Sequence, residues 1–183
     1  KGDTSQKLTL MKTSADSLKK SADALNDSSL WEKKKIKKKD EKTGEEIEVE
    51  DYDWDKITKA VKSFVEDYND VVKEAGESNT KDVLRNASWM TGMTDKNSNM
   101  LAKIGITIGK GNKLELDEDA LKQADISSLK TVFTGYNSFV SKISQKATGI
   151  SNAANRASAT YTNNGTYSKT DSLLTSSKID EEV

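Results

Sequence analysis

The residue types that most often carry out chemistry in proteins are missing from this chain or show no site-like spacing. The 183 residues include no histidine and no cysteine, which excludes the commonest general base, any thiol nucleophile and nearly every transition-metal site built from imidazole or thiolate. With 30 aspartates and glutamates in the chain, neighbouring pairs such as Glu66 and Asp67 are unavoidable, and solvated helix faces explain them. We therefore expect no enzymatic activity, no metal site, no cofactor and no small-molecule substrate.

Two short segments resemble ligand-binding loops but fail on their spacing. The segment 109–111 lacks the third glycine of a dinucleotide-binding loop, and no Gly-Lys-Ser or Gly-Lys-Thr follows it. Residues 95–99 open like a calcium-binding loop, but Met100 stands where such a loop carries its glycine and Ile106 where it carries a bidentate glutamate. The sequence therefore predicts neither a phosphate site nor a calcium site.

The composition favours long helices that each bury one narrow apolar stripe. Only 33% of the residues are apolar, 32% are charged and none is proline, so we expect a thin core without enforced helix breaks. The formal net charge is −1, which attracts the chain neither to nucleic acid nor to an anionic membrane. No apolar run approaches the ~18 residues of a membrane span. Neither nucleic acid nor a membrane is expected as a partner.

Three stripes of apolar residues at steps of three and four predict the main helices. The first predicts a helix over about 3–26, and the second a helix over 54–75 that Asp53 caps. The third keeps this spacing without interruption from about 127 to 161 and predicts one long helix of roughly 50 Å. The residues of these stripes that we expect to pack against other helices are Leu8, Met11, Leu18, Leu25, Trp54, Phe64, Tyr68, Phe133, Tyr136, Val140, Ile143 and Ile150.

Glycines and polar runs interrupt the helical pattern at a few positions. Gly135 and Gly149 lie within the third stripe, where each costs about 1 kcal/mol relative to alanine and either could mark a bend or a close helix contact. A shorter helix is expected over 81–90, and Gly92 and the polar run 94–99 are expected to end it. Its apolar members are Val83, Leu84, Ala87 and Trp89.

Two regions predict β-hairpins. Residues 31–50 carry a lysine-rich arm and a glutamate-rich arm around a turn at Gly44, so opposite charges can pair across an antiparallel ribbon. Residues 105–117 alternate apolar and polar residues around glycines that accept positive φ, and Asp117 then caps a short helix. Taken alone, the lysines of 33–39 would indicate a nucleic-acid or acidic-lipid patch. The acidic arm neutralises them locally, which favours the self-paired hairpin.

These elements predict a mainly α fold, namely an elongated antiparallel helical bundle or coiled coil with two small β-hairpins. We expect a single domain over 1–161, with the hairpin insertion at 31–50 and the second hairpin at 105–117, followed by a polar C-terminal tail over 162–183. The first and third stripes should pack on each other and on the 54–75 helix. An amphipathic helix on a globular core explains the first stripe equally well.

Four segments resemble a known family in the same order and with similar gaps. They are 60–70 with the core Phe-Val-x-x-Tyr-Asn, 101–107 with Leu-x-x-Ile-Gly-Ile-Thr, 113–117 with the end of Gly-x-Leu-x-Leu-Asp, and 132–133 with an apolar residue followed by Phe. All four are similar to segments of the flagellar hook-associated protein 2 family, the filament cap proteins. The chain lacks that family's bulky domains before the Phe-Val helix and keeps only the short ribbon at 31–50. Its tail does not resemble the family's long terminal helix.

The resemblance implies an extracellular structural protein of the bacterial flagellum, exported unfolded through the flagellar secretion channel. Such a protein acts by helix packing with neighbouring subunits at the filament tip, so its partners are other flagellar filament proteins or itself. The departures from the family pattern fit either a fragment or a reduced relative with another role. A different class of function is a soluble, cytoplasmic helical adaptor or chaperone that binds a partner helix in the groove between the two terminal stripes.

Overall fold

A computed structural model describes residues 2–165 of the chain, with side chains through residue 160. The helices are α1 Ser5–Leu25, α2 Trp54–Gly76, α3 Lys81–Lys96, α4 Ser98–Ala102, α5 Glu118–Gln123, α6 Ile126–Phe133 and α7 Phe139–Gly165, and the strands are β1 Lys34–Lys39, β2 Glu46–Asp51, β3 Ile106–Ile108 and β4 Leu114–Leu116. The predicted fold class, mainly α with two small β-hairpins, is confirmed. Most of the predicted C-terminal tail, 166–183, lies outside the described residues.

Helix α1 forms as its stripe predicts. The Thr4 side chain accepts a hydrogen bond from the Lys7 backbone N–H and so caps the first turn. The whole stripe from Leu8 to Leu25 is at most 3% exposed, including the small Ala15 and Ala22. Because these alanines add little bulk, the helices that cover α1 can approach it closely.

Helix α1 lies antiparallel to both α7 and α2. Asp23 accepts a hydrogen bond from Ser144 and Asp16 accepts one from Ser151. Residues nearer the N-terminus of α1 therefore contact residues nearer the C-terminus of α7. Asp3, just before α1, binds the hydroxyl of Ser78, just after α2. The first and third stripes therefore pack on each other within one chain, and α2 packs on α1 as well.

An aromatic cluster closes the end of the bundle near the C-terminus of α1. The Trp31 ring stacks on the Phe133 ring at 5.5 Å and 8°, and the Trp31 indole N–H donates to the Leu25 carbonyl at 2.7 Å. Phe64 meets both Phe133 and Phe139 edge to face, at 6.4 and 6.3 Å. Such contacts add roughly 1 kcal/mol each beyond the area they bury.

The prediction of one continuous helix over 127–161 is wrong. Helix α6 ends at Phe133 and α7 begins at Phe139, and Gly135 between them has a φ of 102°. Residues six apart on one helix point in directions about 120° apart, so Phe133 and Phe139 could not both contact Phe64 without this break. The contacts of the aromatic cluster therefore interrupt the helix that the apolar spacing alone predicts.

The break also removes Tyr136 from the stripe. The Asn26 side chain, at the end of α1, accepts from the Gly135 N–H at 2.9 Å and donates to the Gly135 carbonyl at 3.3 Å. With the backbone held in this way, the Tyr136 side chain points outward and is 84% exposed. Gly135 thus marks the bend, whereas Gly149 lies inside α7.

The predicted end of the short helix over 81–90 is also wrong. Helix α3 continues through Gly92 to Lys96, because Met90 and Thr94 extend its buried stripe. The Tyr68 hydroxyl donates to the Thr94 hydroxyl at 2.7 Å. This long-range contact, invisible in the local pattern, favours helix where the polar run indicated a stop.

Both hairpins are confirmed, and the caps at Asp53 and Asp117 form as predicted. In the first hairpin, β1 pairs with β2 so that lysines face glutamates across the ribbon. In the second, β3 pairs with β4, and the Asn69 side chain from α2 exchanges two hydrogen bonds with the Leu114 backbone, at 2.7 and 3.0 Å. The second hairpin is therefore fastened to the helical body.

We expect Gly105→Ala to lower the free energy of unfolding by about 2–4 kcal/mol. Gly105 has a φ of 91°, and a Cβ there would lie 2.7 Å from the Asp117 carbonyl oxygen. Gly92→Ala is the matched control, since Gly92 is helical and a Cβ there meets nothing within 4 Å. The control should gain up to about 1 kcal/mol in urea denaturation. Equal effects of the two substitutions would contradict this assignment.

Candidate interaction surface

The sequence-predicted packing residues lie mostly inside the chain's own core. Those at most 3% exposed are Leu8, Met11, Leu18, Leu25, Phe64, Tyr68, Phe133, Val140, Ile143 and Ile150. Trp54 is half-buried against Tyr52, and Tyr136 is exposed. The stripes therefore build the body of the molecule, and most of these residues are used in contacts within the chain.

A short ladder of aspartate–serine hydrogen bonds runs beside the buried seam between α1 and α7. Asp16 accepts from Ser151 at 2.6 Å and Asp23 from Ser144 at 2.7 Å, and each aspartate also binds the lysine four residues before it. Partial burial raises the pKa of each carboxyl, but the hydrogen bonds outweigh it, so both pKa values lie below their ordinary value. The ladder fixes the register of the two helices.

Asp3 fastens the segment before α1 to the turn between α2 and α3. Its carboxylate accepts from the Ser78 and Thr80 hydroxyls at 2.7 and 2.6 Å and from the Asn79 N–H at 3.0 Å. The residue is 7% exposed. Burial raises the pKa of the Asp3 carboxyl, but the hydrogen bonds from Asn79, Thr80 and Ser78 lower it further, to below its ordinary value.

The polar residues of the Phe-Val-x-x-Tyr-Asn segment have structural partners. Burial raises the pKa of Tyr68 to about 12, so its hydroxyl stays neutral and donates to Thr94. Asn69 holds β4 in place through Leu114, as described above. Asn112, with a φ of 63°, stands where the resembling pattern has glycine, and asparagine tolerates this conformation. Tyr68 thus joins α2 to α3, and Asn69 joins α2 to the second hairpin.

Exposed apolar side chains lie on the outer face of α3. Its inner face, with Val83, Ala87 and Met90, is buried, whereas Leu84 is 41% and Trp89 54% exposed. Large exposed aromatic residues are enriched where proteins bind one another. We call the outer face of α3, with Leu84 at one margin, Trp89 at the other and Ser88 and Gly92 between them, the α3 ridge.

A groove lies on each side of the α3 ridge. The first, about 420 Å³, separates the ridge from the end of α2, and its walls include Val72 and Leu84. The second, about 400 Å³, separates it from α7 and is lined by Trp89, Met93 and three lysines. One of these, Lys146, places its ammonium 4.7 Å from the Trp89 ring centroid, a cation–π contact that steadies the exposed ring. A ridge between two grooves is the relief against which another helix can pack.

Two further features that could indicate a function are membrane-spanning helices and clusters of metal-binding side chains. Within 2–165, no helix has the length and apolar character needed to cross a bilayer. Nor do three or more acidic side chains there converge as metal ligands.

Sequence reasoning missed the α3 ridge because it grouped Leu84 and Trp89 with Val83 and Ala87 as one apolar set. The steps from 83 to 87, 90 and 94 mark the buried stripe, and Trp89 falls off it. Counting Thr94 as part of the buried stripe would have shown from the sequence that Trp89 lies outside it. The serine partners of Asp16 and Asp23 also carried a signal, since both pairs repeat at a spacing of seven.

We expect Asp3→Asn to lower the free energy of unfolding by about 1–3 kcal/mol near pH 7. Because the folded-state pKa of Asp3 lies below its ordinary value, its contribution is full above the unfolded pKa of about 4 and is lost as the pH falls through the folded pKa. Urea denaturation of the variant should therefore show a smaller loss of stability on acidification than the parent protein shows.

Asp95→Asn is the control for that comparison, because Asp95 is exposed on α3. It should change the free energy of unfolding by no more than about 0.5 kcal/mol near neutral pH. A control as damaging as Asp3→Asn, or an Asp3 variant with the parent's acid sensitivity, would count against the role of Asp3 in fastening α1 to the turn after α2.

Comparison with known proteins identifies the family. The family model described as flagellar hook-associated protein 2 C-terminus matches residues 78–181, more than half of the 183-residue chain. The match begins in the turn before α3 and includes three of the four resembling segments, as well as the α3 ridge. No curated protein and no solved structure matches the chain. The chain belongs to the flagellar hook-associated protein 2 family.

Proposed function

We propose that this protein is a structural component of the bacterial flagellar filament cap, located outside the cell at the filament tip. It assembles with flagellar filament proteins and with itself, and helix packing supplies the contacts. The proposal includes no turnover, no cofactor, no small-molecule substrate, no nucleic acid and no membrane partner. The family match over 78–181 carries it, since this family has a structural role in the flagellum.

The α3 ridge is the helical face that we assign to these contacts. It lies within the matched span, it exposes Leu84 and Trp89, and grooves on both sides can receive side chains of a partner helix. Burying these two side chains in an interface removes apolar surface from water, which favours association and depends little on salt. The buried stripes contribute by holding α3 rigidly in place.

The adaptor or chaperone hypothesis finds less support. It requires an accessible groove between the first and third stripes, yet Leu18 and Ile143 are both fully buried where α1 and α7 meet. A partner helix could enter only if α1 separated from α7. That separation would expose most of the core.

The test is binding to flagellin filaments, scored at the filament ends by gold-labelled electron microscopy. We expect the parent protein to bind ends, and the double variant Leu84→Ser with Trp89→Ser to bind at least about tenfold more weakly, because it loses the two apolar anchors. Circular dichroism should show unchanged helix content in the variant.

Leu10→Ser is the matched control, since Leu10 is 47% exposed on α1, outside the α3 ridge. It should bind as the parent does. A parent protein that never binds filaments would overturn the cap role. Equal binding by the ridge variant and the control would overturn the assignment of the contact to α3.

A further inference from the structure

The β1–β2 hairpin has two edges of opposite charge. The register pairs Lys35 with Glu50, Lys37 with Glu48 and Lys39 with Glu46. All six side chains are exposed and lie on one face of the ribbon, because residues two apart on a strand share a face. The β1 edge is therefore basic along its length and the β2 edge is acidic.

The same charged residues carry the unpaired backbone groups of each edge. The Asp40 N–H donates to the Glu45 carbonyl at 2.7 Å, so residues 40 and 45 form a hydrogen-bonded pair. Hydrogen-bonded and non-hydrogen-bonded pairs alternate along an antiparallel ladder. The pairs of Lys35, Lys37 and Lys39 with their glutamates are therefore non-hydrogen-bonded pairs. The backbone N–H and C=O groups of these residues point outward, away from the partner strand.

Neither edge pairs with a further strand among the described residues, where this sheet consists of β1 and β2 alone. A two-stranded ribbon is marginally stable in water, and a further strand would stabilise it. The opposite face of the ribbon is mixed: Ile36 lies across from Val49 and Ile47 is 39% exposed, but Lys38 and Asp51 on the same face form an ion pair at 2.6 Å.

We propose that the hairpin binds the hairpin of a second copy of this chain, with β1 of one copy pairing edge to edge with β2 of the next. Pairing β1 with β1 would place lysine beside lysine, and pairing β2 with β2 would place glutamate beside glutamate, which is unfavourable. Pairing β1 with β2 places each lysine beside a glutamate and joins the outward backbone groups in a continuous ladder.

Charge on an edge strand normally protects a sheet against further pairing. Here that protection acts only between like edges, because the two edges carry opposite signs. The resulting contact uses different surfaces on the two partners, so every added copy leaves one basic and one acidic edge free. A contact of this kind repeats until a ring closes or an open chain forms.

This inference rests on the proposed function for its partner, another copy of the same assembling protein, but it uses a surface outside the α3 ridge. The test is sedimentation velocity over a range of protein concentrations. At about 20 mM salt the parent protein should form oligomers larger than a dimer, and at about 0.5 M salt, where exposed charges are screened, it should be mostly monomeric. A monomer at every concentration in low salt would overturn the inference.

Two hairpin variants make the test specific. Lys37→Pro removes an outward N–H without removing a bond inside the hairpin, and we expect it to weaken self-association by at least about tenfold. The sixfold exchange that puts glutamate at 35, 37 and 39 and lysine at 46, 48 and 50 reverses both edges together, and it should associate as the parent does. Unchanged association of Lys37→Pro, or a monomeric exchange variant with an intact fold, would overturn the inference.

Filament binding separates failure of this inference from failure of the proposed function. A parent protein that binds filament ends but stays monomeric refutes only the hairpin contact. A parent protein that forms salt-sensitive oligomers but never binds filaments refutes only the cap role.

Discussion

The antiparallel packing of α1 on α7 is the constraint on which the rest of the structure depends. Ala15 and Ala22 on α1 and Ala147 on α7 are fully buried, so the two backbones come close, and the aspartate–serine ladder sets their register. Helix α2 covers another side of α1, and α3 covers α7. The α3 ridge is therefore held in place by a contact between the first helix of the described chain and the last.

This packing decides which residues remain for partners. Since the large apolar side chains of the seam are buried inside the molecule, the proposed contacts use two other exposed features of the described residues. The α3 ridge is apolar, and its contacts would respond little to salt. The hairpin edges are charged and present free backbone groups, and their contacts would weaken as salt screens them. A protein with both features can make a lateral contact to its own copies and a separate contact to a filament, and the two can be tuned independently.

Apolar spacing and capping residues were enough to predict most helices and the mainly α class, and opposed charges were enough to predict the first hairpin. The break between α6 and α7 could not be predicted in this way, because the spacing of three and four continues across Tyr136 as if the helix did. What ends α6 is competition from Phe64, which is distant in sequence and draws Phe133 and Phe139 to one point. The continuation of α3 through Gly92 likewise depends on Tyr68. For the candidate surface, the sequence indicated which stripes are apolar but not which apolar residues stay exposed, since exposure depends on what covers each helix face.

Cross-linking of introduced cysteines tests the packing of α1 on α7 most directly, because the chain has no cysteine of its own. Asp16 Oδ1 and Ser151 Oγ are 2.6 Å apart, so a variant with Asp16→Cys and Ser151→Cys should form a disulfide within one chain under mild oxidation. Moving the second cysteine to Ser141, about 15 Å along α7, should abolish the cross-link. Intact mass spectrometry under dilute conditions distinguishes the outcomes. A first pair that stays reduced, or that links only two separate chains, would contradict the account.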